Sequence, residues 1–116
     1  MQEKNKEYYL SLGFDKKAAE YFAAGRRRIT AVTPNDNYTL TLRFDNGEVR
    51  VFDVAPLIRS GTVFEILHDP TVFHRVYIDH DNCVAWDRDD TIDSSIVWNN
   101  KLDLSGDTCY MESSPV

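Results

Sequence analysis

The stretch that decides the fold runs over residues 28–54 and reads Arg28-Ile-Thr-Ala-Val-Thr-Pro-Asn-Asp-Asn-Tyr-Thr-Leu-Thr-Leu-Arg-Phe-Asp-Asn-Gly-Glu-Val-Arg-Val-Phe-Asp-Val54. From Tyr38 to Asp45, apolar and polar side chains alternate strictly, which is the period of a strand with one buried face. Asn46-Gly47 favours a type I′ hairpin turn, in which both central residues have positive φ. The stretch therefore predicts a first strand at 29–32 and two further strands joined by a hairpin.

The N-terminal residues carry helical rather than strand spacing of apolar side chains. Asp15 is placed to cap a helix, because its carboxylate would accept from the free amides of the next turn, and Gly25 is a suitable terminator. We expect residues 1–25 to form an N-terminal helical arm of two short helices that packs on the rest of the chain.

The remainder of the chain mixes short helical and strand patterns. Helical turns are predicted between residues 56 and 76. Further strands are predicted at 76–79, 83–86 and 96–98, with an acidic loop at 87–95 between the last two. Residues 99–110 are predicted to form a turn and a short helix, and residues 113–116 a disordered tail. The predicted fold class is α+β, a small antiparallel sheet with short helices packed on one face, and its main domain spans residues 26–112.

Composition excludes several classes of protein. The chain has 116 residues, 42% of them hydrophobic, and a net charge of −6 from 19 acidic and 13 basic residues. This is ordinary globular composition, and the negative field opposes binding to a phosphate backbone. The start of the chain has no apolar leader pattern and no run is long enough to span a bilayer, so we expect a cytoplasmic protein with no membrane partner, whose Cys83 and Cys109 are both reduced.

Four segments in order carry a family resemblance: Arg28-Ile-Thr-Ala-Val32, Tyr38 to Leu57, Asp69-Pro-Thr-Val-Phe73, and Trp98 to Tyr110. Over about residues 26 to 112 the chain resembles the bacterial DUF2442 family of unknown function. The resemblance implies a small α+β domain without an assigned activity. Some members are similar to partners of a neighbouring small protein in toxin–antitoxin pairs, and others carry a helix-turn-helix after the domain, which this sequence does not show.

The chain also departs from the family pattern at Gly106 and Cys109, where proline and leucine are usual. We therefore expect Cys109 to act as a small hydrophobic residue that faces the core.

No catalytic or metal-binding constellation emerges from the polar residues. His68, His74 and His80 recur every six residues, but six residues turn a helix by about 240°, so the first two would point apart. Asp87 to Asp93 has alternating oxygen donors, yet a calcium loop needs glycine and glutamate where Ile92 and Trp98 stand. We predict no metal site and no cofactor.

A nucleophilic enzyme is not expected either. Cys83 lies near His80 in sequence, but three residues that lead from a turn into a strand leave side chains diverging. Glycine-rich phosphate loops are absent from the sequence. The prediction is therefore a protein that is not an enzyme and has no catalytic residues.

Two tryptophans flank the acidic loop at positions that would pair across a hairpin. Tryptophan and tyrosine dominate interface hot spots, although aromatic residues of this kind are also typical of a core, and both readings stay open here. The predicted interaction surface consists of Trp86, Asp87, Asp89, Asp90, Trp98 and Tyr110. The leading hypothesis is a non-enzymatic protein-interaction module that binds a toxin-like neighbour, in the manner of an antitoxin, or a second copy of itself.

Two alternatives belong to other functional classes. A small-molecule binder or enzyme would have its site between the sheet and residues 63–73, using His68, His74 or Asp79. A DNA-associated regulator would use the basic run Arg26-Arg27-Arg28, although nucleic acid is disfavoured by the net charge.

Overall fold

A computed structural model describes residues 5–116, which form four short α-helices and seven strands. The helices and strands, in chain order, are α1 (Lys6–Ser11), α2 (Lys16–Ala24), β1 (Ile29–Pro34), β2 (Thr39–Phe44), β3 (Val49–Asp53), α3 (Pro70–Phe73), β4 (Tyr77–Ile78), β5 (Val84–Asp87), β6 (Lys101–Leu104), α4 (Gly106–Met111) and β7 (Ser114–Pro115). Short 3-10 turns lie at Ala55–Leu57, Glu65–His68 and Trp98–Asn100.

The strands form two antiparallel sheets. The first has the order β1-β2-β3-β7 and the second the order β4-β5-β6. The α+β class is thus confirmed, but the strands divide between two sheets where we expected one.

The β2–β3 hairpin confirms the alternation read from the sequence, since Leu40, Leu42 and Phe44 are all buried. The expected type I′ turn is wrong. Gly47 has a φ of +87°, whereas Asn46 does not have positive φ, and the Gly47 amide donates to the Phe44 carbonyl at 3.0 Å. The loop is therefore three residues long and ends in a positive-φ glycine, the usual alternative for a short hairpin.

The arm consists of α1 and α2, as predicted for the part of it that the structure describes; residues 1–4 lie outside the described residues. Asp15 caps α2 by accepting the Ala18 amide at 2.7 Å. Tyr21 is buried against α4, where its ring lies 5.1 Å from that of Tyr110 and its hydroxyl donates to Asp107. The arm thus packs on the domain through the ring and hydroxyl of Tyr21, and Lys17 pairs with Glu112 at 3.9 Å.

One hydrophobic core joins the two sheets and α3. Its buried members are Ile29, Leu40, Leu42, Phe44, Phe52, Val54, Leu67, Val72, Phe73, Val84, Trp86, Leu102 and Cys109. Cys109 is 0% exposed, which confirms its expected role as a core residue.

The C-terminal tail differs from expectation. Residues 113–116 were predicted to be disordered, but Ser114 and Pro115 pair with β3. Arg50 anchors this pairing, because its guanidinium donates to the Ser113 hydroxyl and carbonyl, each at 2.7 Å. The contact joins residues 63 positions apart, which local sequence patterns do not reveal.

The predicted strand at 96–98 is also wrong. Its residues form turns instead, and the strand that pairs with β5 is β6, beginning at Lys101. The amides of Ile96 and Val97 donate to the Asp93 carbonyl at 3.0 and 2.9 Å, so they are committed to a turn. Within residues 5–116, no helix is both long and apolar enough to cross a membrane.

Candidate interaction surface on the loop between β5 and β6

The loop between β5 and β6, residues 88–100, is organised by Asn100. This side chain is buried and makes hydrogen bonds to the first half of the loop. Its Oδ1 accepts the Asp89 amide at 3.0 Å, and its Nδ2 contacts the carbonyls of Asp89 and Ile92 at 3.0 and 3.1 Å and the Ser94 hydroxyl at 3.0 Å. A buried amide with all its polar atoms satisfied favours a single loop conformation.

Two aspartates form local turns within the loop. Asp89 Oδ1 accepts the amide and hydroxyl of Thr91 at 2.9 and 2.6 Å, and Asp93 Oδ1 accepts those of Ser95 at the same two distances. These hydrogen bonds lower the pKa of both carboxyl groups, so the aspartates stay ionised. They supply the loop with turns that need no sheet pairing.

An apolar patch projects from this ordered loop. It consists of Ile92, Ile96, Val97 and Trp98, which are 39%, 78%, 41% and 83% exposed. Single exposed apolar residues are normal on a protein surface, but four within seven positions on a hydrogen-bonded loop form a cluster. The patch is the apolar part of the surface that the loop presents to solvent.

A polar cleft of about 690 Å³ lies beside the apolar patch, and Ile92 belongs to both. Its lining residues are Tyr77, Asp79, His80, Asp87, Asp90, Thr91, Ile92, Asp93, Ser94, Ser95 and Lys101. In its floor, Asp87 Oδ1 accepts the Tyr77 hydroxyl at 2.8 Å and the Ser94 hydroxyl at 2.6 Å. Burial and the Asp87 carboxylate raise the pKa of Tyr77, so this hydroxyl remains a donor.

Asp79 and Lys101 form an ion pair in the same cleft. Lys101 Nζ lies 2.8 Å from Asp79 Oδ2, and the two side chains are 21% and 4% exposed. Burial alone would raise the pKa of Asp79, but hydrogen bonds from Lys101 and from the amides of Cys83 and Asp81 hold it below its usual value. The bond to Asp79 in turn raises the pKa of Lys101. The pair is therefore charged throughout the neutral range.

Asp79, Cys83 and Asp103 bring three ligand atoms within 4.8 Å of one another, which raises the question of a metal site. The chemistry does not fit one. Lys101 already supplies a cation to this group, 2.8 Å from Asp79 and 3.9 Å from Asp103. Burial and the neighbouring carboxylates raise the pKa of Cys83, so its thiolate, the form that binds metal, is disfavoured.

The predicted surface residues separate into two groups. Asp87, Asp89, Asp90 and Trp98 lie on the loop or its cleft. Trp86 does not contribute, because it is 0% exposed and its indole donates to the Phe73 carbonyl at 2.9 Å. The expected cross-hairpin pair of tryptophans is wrong, since Trp86 pairs with Leu102.

Tyr110 lies away from the loop and joins the arm to the domain. Its ring packs on Phe44 at 5.0 Å and beneath the Arg50 guanidinium at 4.6 Å, and its hydroxyl donates to Glu48 at 2.9 Å. It is thus a structural contact rather than part of the apolar patch.

Sequence reasoning missed Ile96 and Val97 as surface residues because an apolar run resembles a strand. It also missed Asn100 and Lys101, which sat in a predicted turn. An asparagine five to eleven residues beyond the aspartates and serines of the loop is a weak signal, since only the folded loop shows which carbonyls it reaches.

The histidines and Asp79 of the small-molecule hypothesis do not form a common site, whereas the three arginines of the DNA hypothesis line one cavity together with Asp81 and Asp107. All three histidines are exposed: His68 lines a shallow cavity with Ile58 and Arg59, His74 faces Asp36 at 3.5 Å, and His80 lines the polar cleft. Of the three histidines, only His80 therefore lines the same cleft as Asp79. Of the three consecutive arginines, Arg26 is paired with Asp107.

A family model described as "Protein of unknown function (DUF2442)" matches residues 29–114 of this chain. This confirms the resemblance inferred from the hairpin and tail segments. No curated protein matches the chain, and no solved structure matches it.

Proposed function

We propose that this chain, which belongs to the DUF2442 family of proteins of unknown function, is a non-enzymatic protein-interaction module. The observation that carries the proposal is Trp98, whose side chain is 83% exposed on a loop that buried Asn100 holds in place. The apolar patch around Trp98 is the surface that binds the partner.

Two physical arguments support this use of the patch. Burying a large apolar side chain is worth about 1.5–3 kcal/mol, so a partner that covers Trp98 and Ile96 gains binding free energy from both. The loop is already ordered by its own hydrogen bonds, so binding does not have to pay for ordering it. Exposed tryptophan on a rigid support is typical of an interface hot spot.

The kind of partner follows from the family resemblance. Some family members are similar to one half of a toxin–antitoxin pair. This similarity favours a small neighbouring protein, rather than a second copy of the chain, as the partner. We therefore propose an antitoxin-like pairing, in which the apolar patch contacts the neighbouring protein.

The test is affinity capture from the native lysate, followed by mass spectrometry and light scattering of the recovered complex. Capture is compared between the unaltered chain, Trp98→Ser, Ile96→Ser and the control Val63→Ser. Val63 is 57% exposed but lies outside the apolar patch, so the control removes a similar exposed group elsewhere.

We expect a partner in fixed stoichiometry with the unaltered chain and with Val63→Ser, and its loss with Trp98→Ser and Ile96→Ser. Thermal unfolding of each variant shows whether the fold is retained, as expected for exposed positions. A monomer that recovers no stoichiometric partner overturns the proposal, and so does a partner retained equally by all four chains.

A further inference from the structure

We infer that the partner binds with a basic, apolar segment, which covers Trp98 and Ile96 and places a lysine or arginine side chain in the polar cleft. This inference rests on the proposed function, because it names the chemistry of the partner that the apolar patch contacts. It is carried by the position of the cleft beside the patch and by the charge that the cleft leaves unbalanced.

The charges of the cleft do not cancel. Its lining holds the carboxylates of Asp79, Asp87, Asp90 and Asp93, but among residues 5–116 Lys101 is its only lysine or arginine. Lys101 is bound to Asp79 at 2.8 Å and neutralises one of the four carboxylate charges. The hydroxyl donors on Asp87 are neutral, so they orient this carboxylate without balancing its charge.

Asp90 is the carboxylate that is free to receive a ligand. It is exposed, and its side chain accepts no hydrogen bond from any residue in the 5–116 range. Asp93 uses Oδ1 for the Ser95 turn. A cation that enters the cleft therefore meets Asp90 directly, with Asp87 and Asp93 contributing to the field around it.

The lining of the site suits a long basic side chain. Ile92 lines the cleft and is also part of the apolar patch, so it offers an apolar surface at the boundary between the two. Lysine and arginine pack their aliphatic stems on such surfaces and keep the charged head in a polar environment. Ser95 lines the cleft and Ile96 follows it in the chain, so one partner segment reaches both features.

The partner's charge is consistent with this chain as a whole. With a net charge of −6, the chain attracts a basic protein over long range and repels an acidic one. The cleft places negative charge directly beside the apolar patch, so it defines where a basic side chain of the partner binds.

The test uses n-butylguanidinium chloride as a probe for an arginine side chain, and n-butylurea as its neutral counterpart. Each is titrated into the ¹⁵N-labelled full chain at low ionic strength, while the backbone amides of Ser94 and Ser95 are followed by NMR. The variants are Asp90→Asn, which lines the cleft, and Asp45→Asn, an exposed aspartate of the β2–β3 hairpin that changes the net charge equally.

We expect saturable shifts at Ser94 and Ser95 with n-butylguanidinium, weakened by added salt, and none with n-butylurea. Asp90→Asn should weaken binding about two- to fivefold, the effect of one exposed charge pair, while Asp45→Asn leaves it unchanged. Equal binding of the two probes, equal effects of the two variants, or no saturable shift overturns the inference.

The test of this inference and the test of the proposed function can fail independently of each other. Trp98→Ser removes the apolar contact and should leave n-butylguanidinium binding intact, because Trp98 does not line the cleft. A captured partner that needs Trp98 but binds Asp90→Asn as tightly as the unaltered chain would keep the proposed function and overturn this inference. Cation binding in the cleft without any stoichiometric partner would overturn the proposed function instead.

Discussion

Asn100 and Asp89 bind each other reciprocally across the base of the β5–β6 loop. The Asp89 amide donates to Asn100 Oδ1 at 3.0 Å, and Asn100 Nδ2 donates to the Asp89 carbonyl at 3.0 Å. The loop between them carries the apolar patch and one wall of the polar cleft. A single buried side chain therefore closes the base of the loop that carries the surface that we propose for binding.

Replacing Asn100 with alanine should destabilise the protein and free the loop. The substitution leaves the Asp89 amide and the Ile92 carbonyl without their partner, which costs about 1–3 kcal/mol in the free energy of unfolding. Urea unfolding measures this loss, and limited proteolysis between residues 88 and 100 should become faster.

The matched control for this prediction is Asn99→Ala. Asn99 is the adjacent residue and is exposed, and its side chain makes no hydrogen bond within the described chain. We expect its free energy of unfolding to stay within about 0.5 kcal/mol of the unaltered chain. Equal stability of the two variants would show that Asn100 does not organise the loop.

Breaking the Asp79–Lys101 pair should have an effect that depends on pH. Lys101→Met leaves the nearly buried Asp79 charge with only its backbone donors, and we expect a loss of about 1–3 kcal/mol near pH 7. Lys16→Met, an exposed lysine at the start of α2, is the control and should cost little.

The sign of the pH dependence follows from both pKa shifts. The pKa of Asp79 is lowered from 3.8, so its stabilisation is complete above that value and is lost as the pH falls through the folded-state pKa. The pKa of Lys101 is raised from 10.5, so its contribution is complete below that value and is lost as the pH rises through the folded-state pKa. The free-energy difference between the unaltered chain and Lys101→Met should therefore shrink at both extremes, and a constant difference from neutral to strongly acidic pH would contradict this account.

Gly106 is required where α4 approaches the turn before β5. A Cβ at this position would lie 2.8 Å from the Asn82 carbonyl oxygen, and Asn82 in turn bridges the Ile29 amide and carbonyl at 2.8 and 2.9 Å. Gly106→Ala should therefore destabilise the protein by about 1–3 kcal/mol, despite the better helix propensity of alanine. Hydrogen exchange should become faster at the Ile29 amide.

Gly61→Ala separates steric overlap from backbone strain. A Cβ at Gly61 meets no atom within 4 Å, but the φ of +84° still costs about 1–2 kcal/mol for alanine. This control should lower stability without a selective change at the Ile29 amide. If Gly106→Ala leaves that amide protected, the Asn82 contact is not the cause of its effect.

The two thiols should differ in reactivity. Cys109 is 0% exposed and burial raises its pKa to about 12, whereas Cys83 is half-buried, with a pKa raised by burial and then by Asp79. We expect a thiol-disulfide reagent to modify Cys83 slowly in the native protein and Cys109 only after unfolding. Cys83→Ser should therefore show no reactive thiol until denaturant is added, and equal rates for both native thiols would contradict the buried position of Cys109.

Local signals predicted much of the fold and less of the candidate site. The alternation around Leu40 and Leu42 and the cap at Asp15 are read within a few residues, and the structure contains both. Trp86 and Trp98 gave similar local signals, yet one is 0% and the other 83% exposed. Their difference depends on the β5–β6 register, in which Trp86 faces Leu102.

The amino-acid sequence by itself determined the α+β class, the β2–β3 hairpin, the helical arm and the family, because each depends on periodicity, capping or a linear order of motifs. Tertiary structure alone decided that the strands divide into two sheets, that the C-terminal tail pairs with β3, and that Trp98 rather than Trp86 faces solvent. These features depend on contacts between residues distant in sequence, such as Arg50 with Ser113, and on the buried hydrogen bonds of Asn100. Such contacts form only when the chain has folded, so the position of the proposed binding surface depends on the tertiary structure.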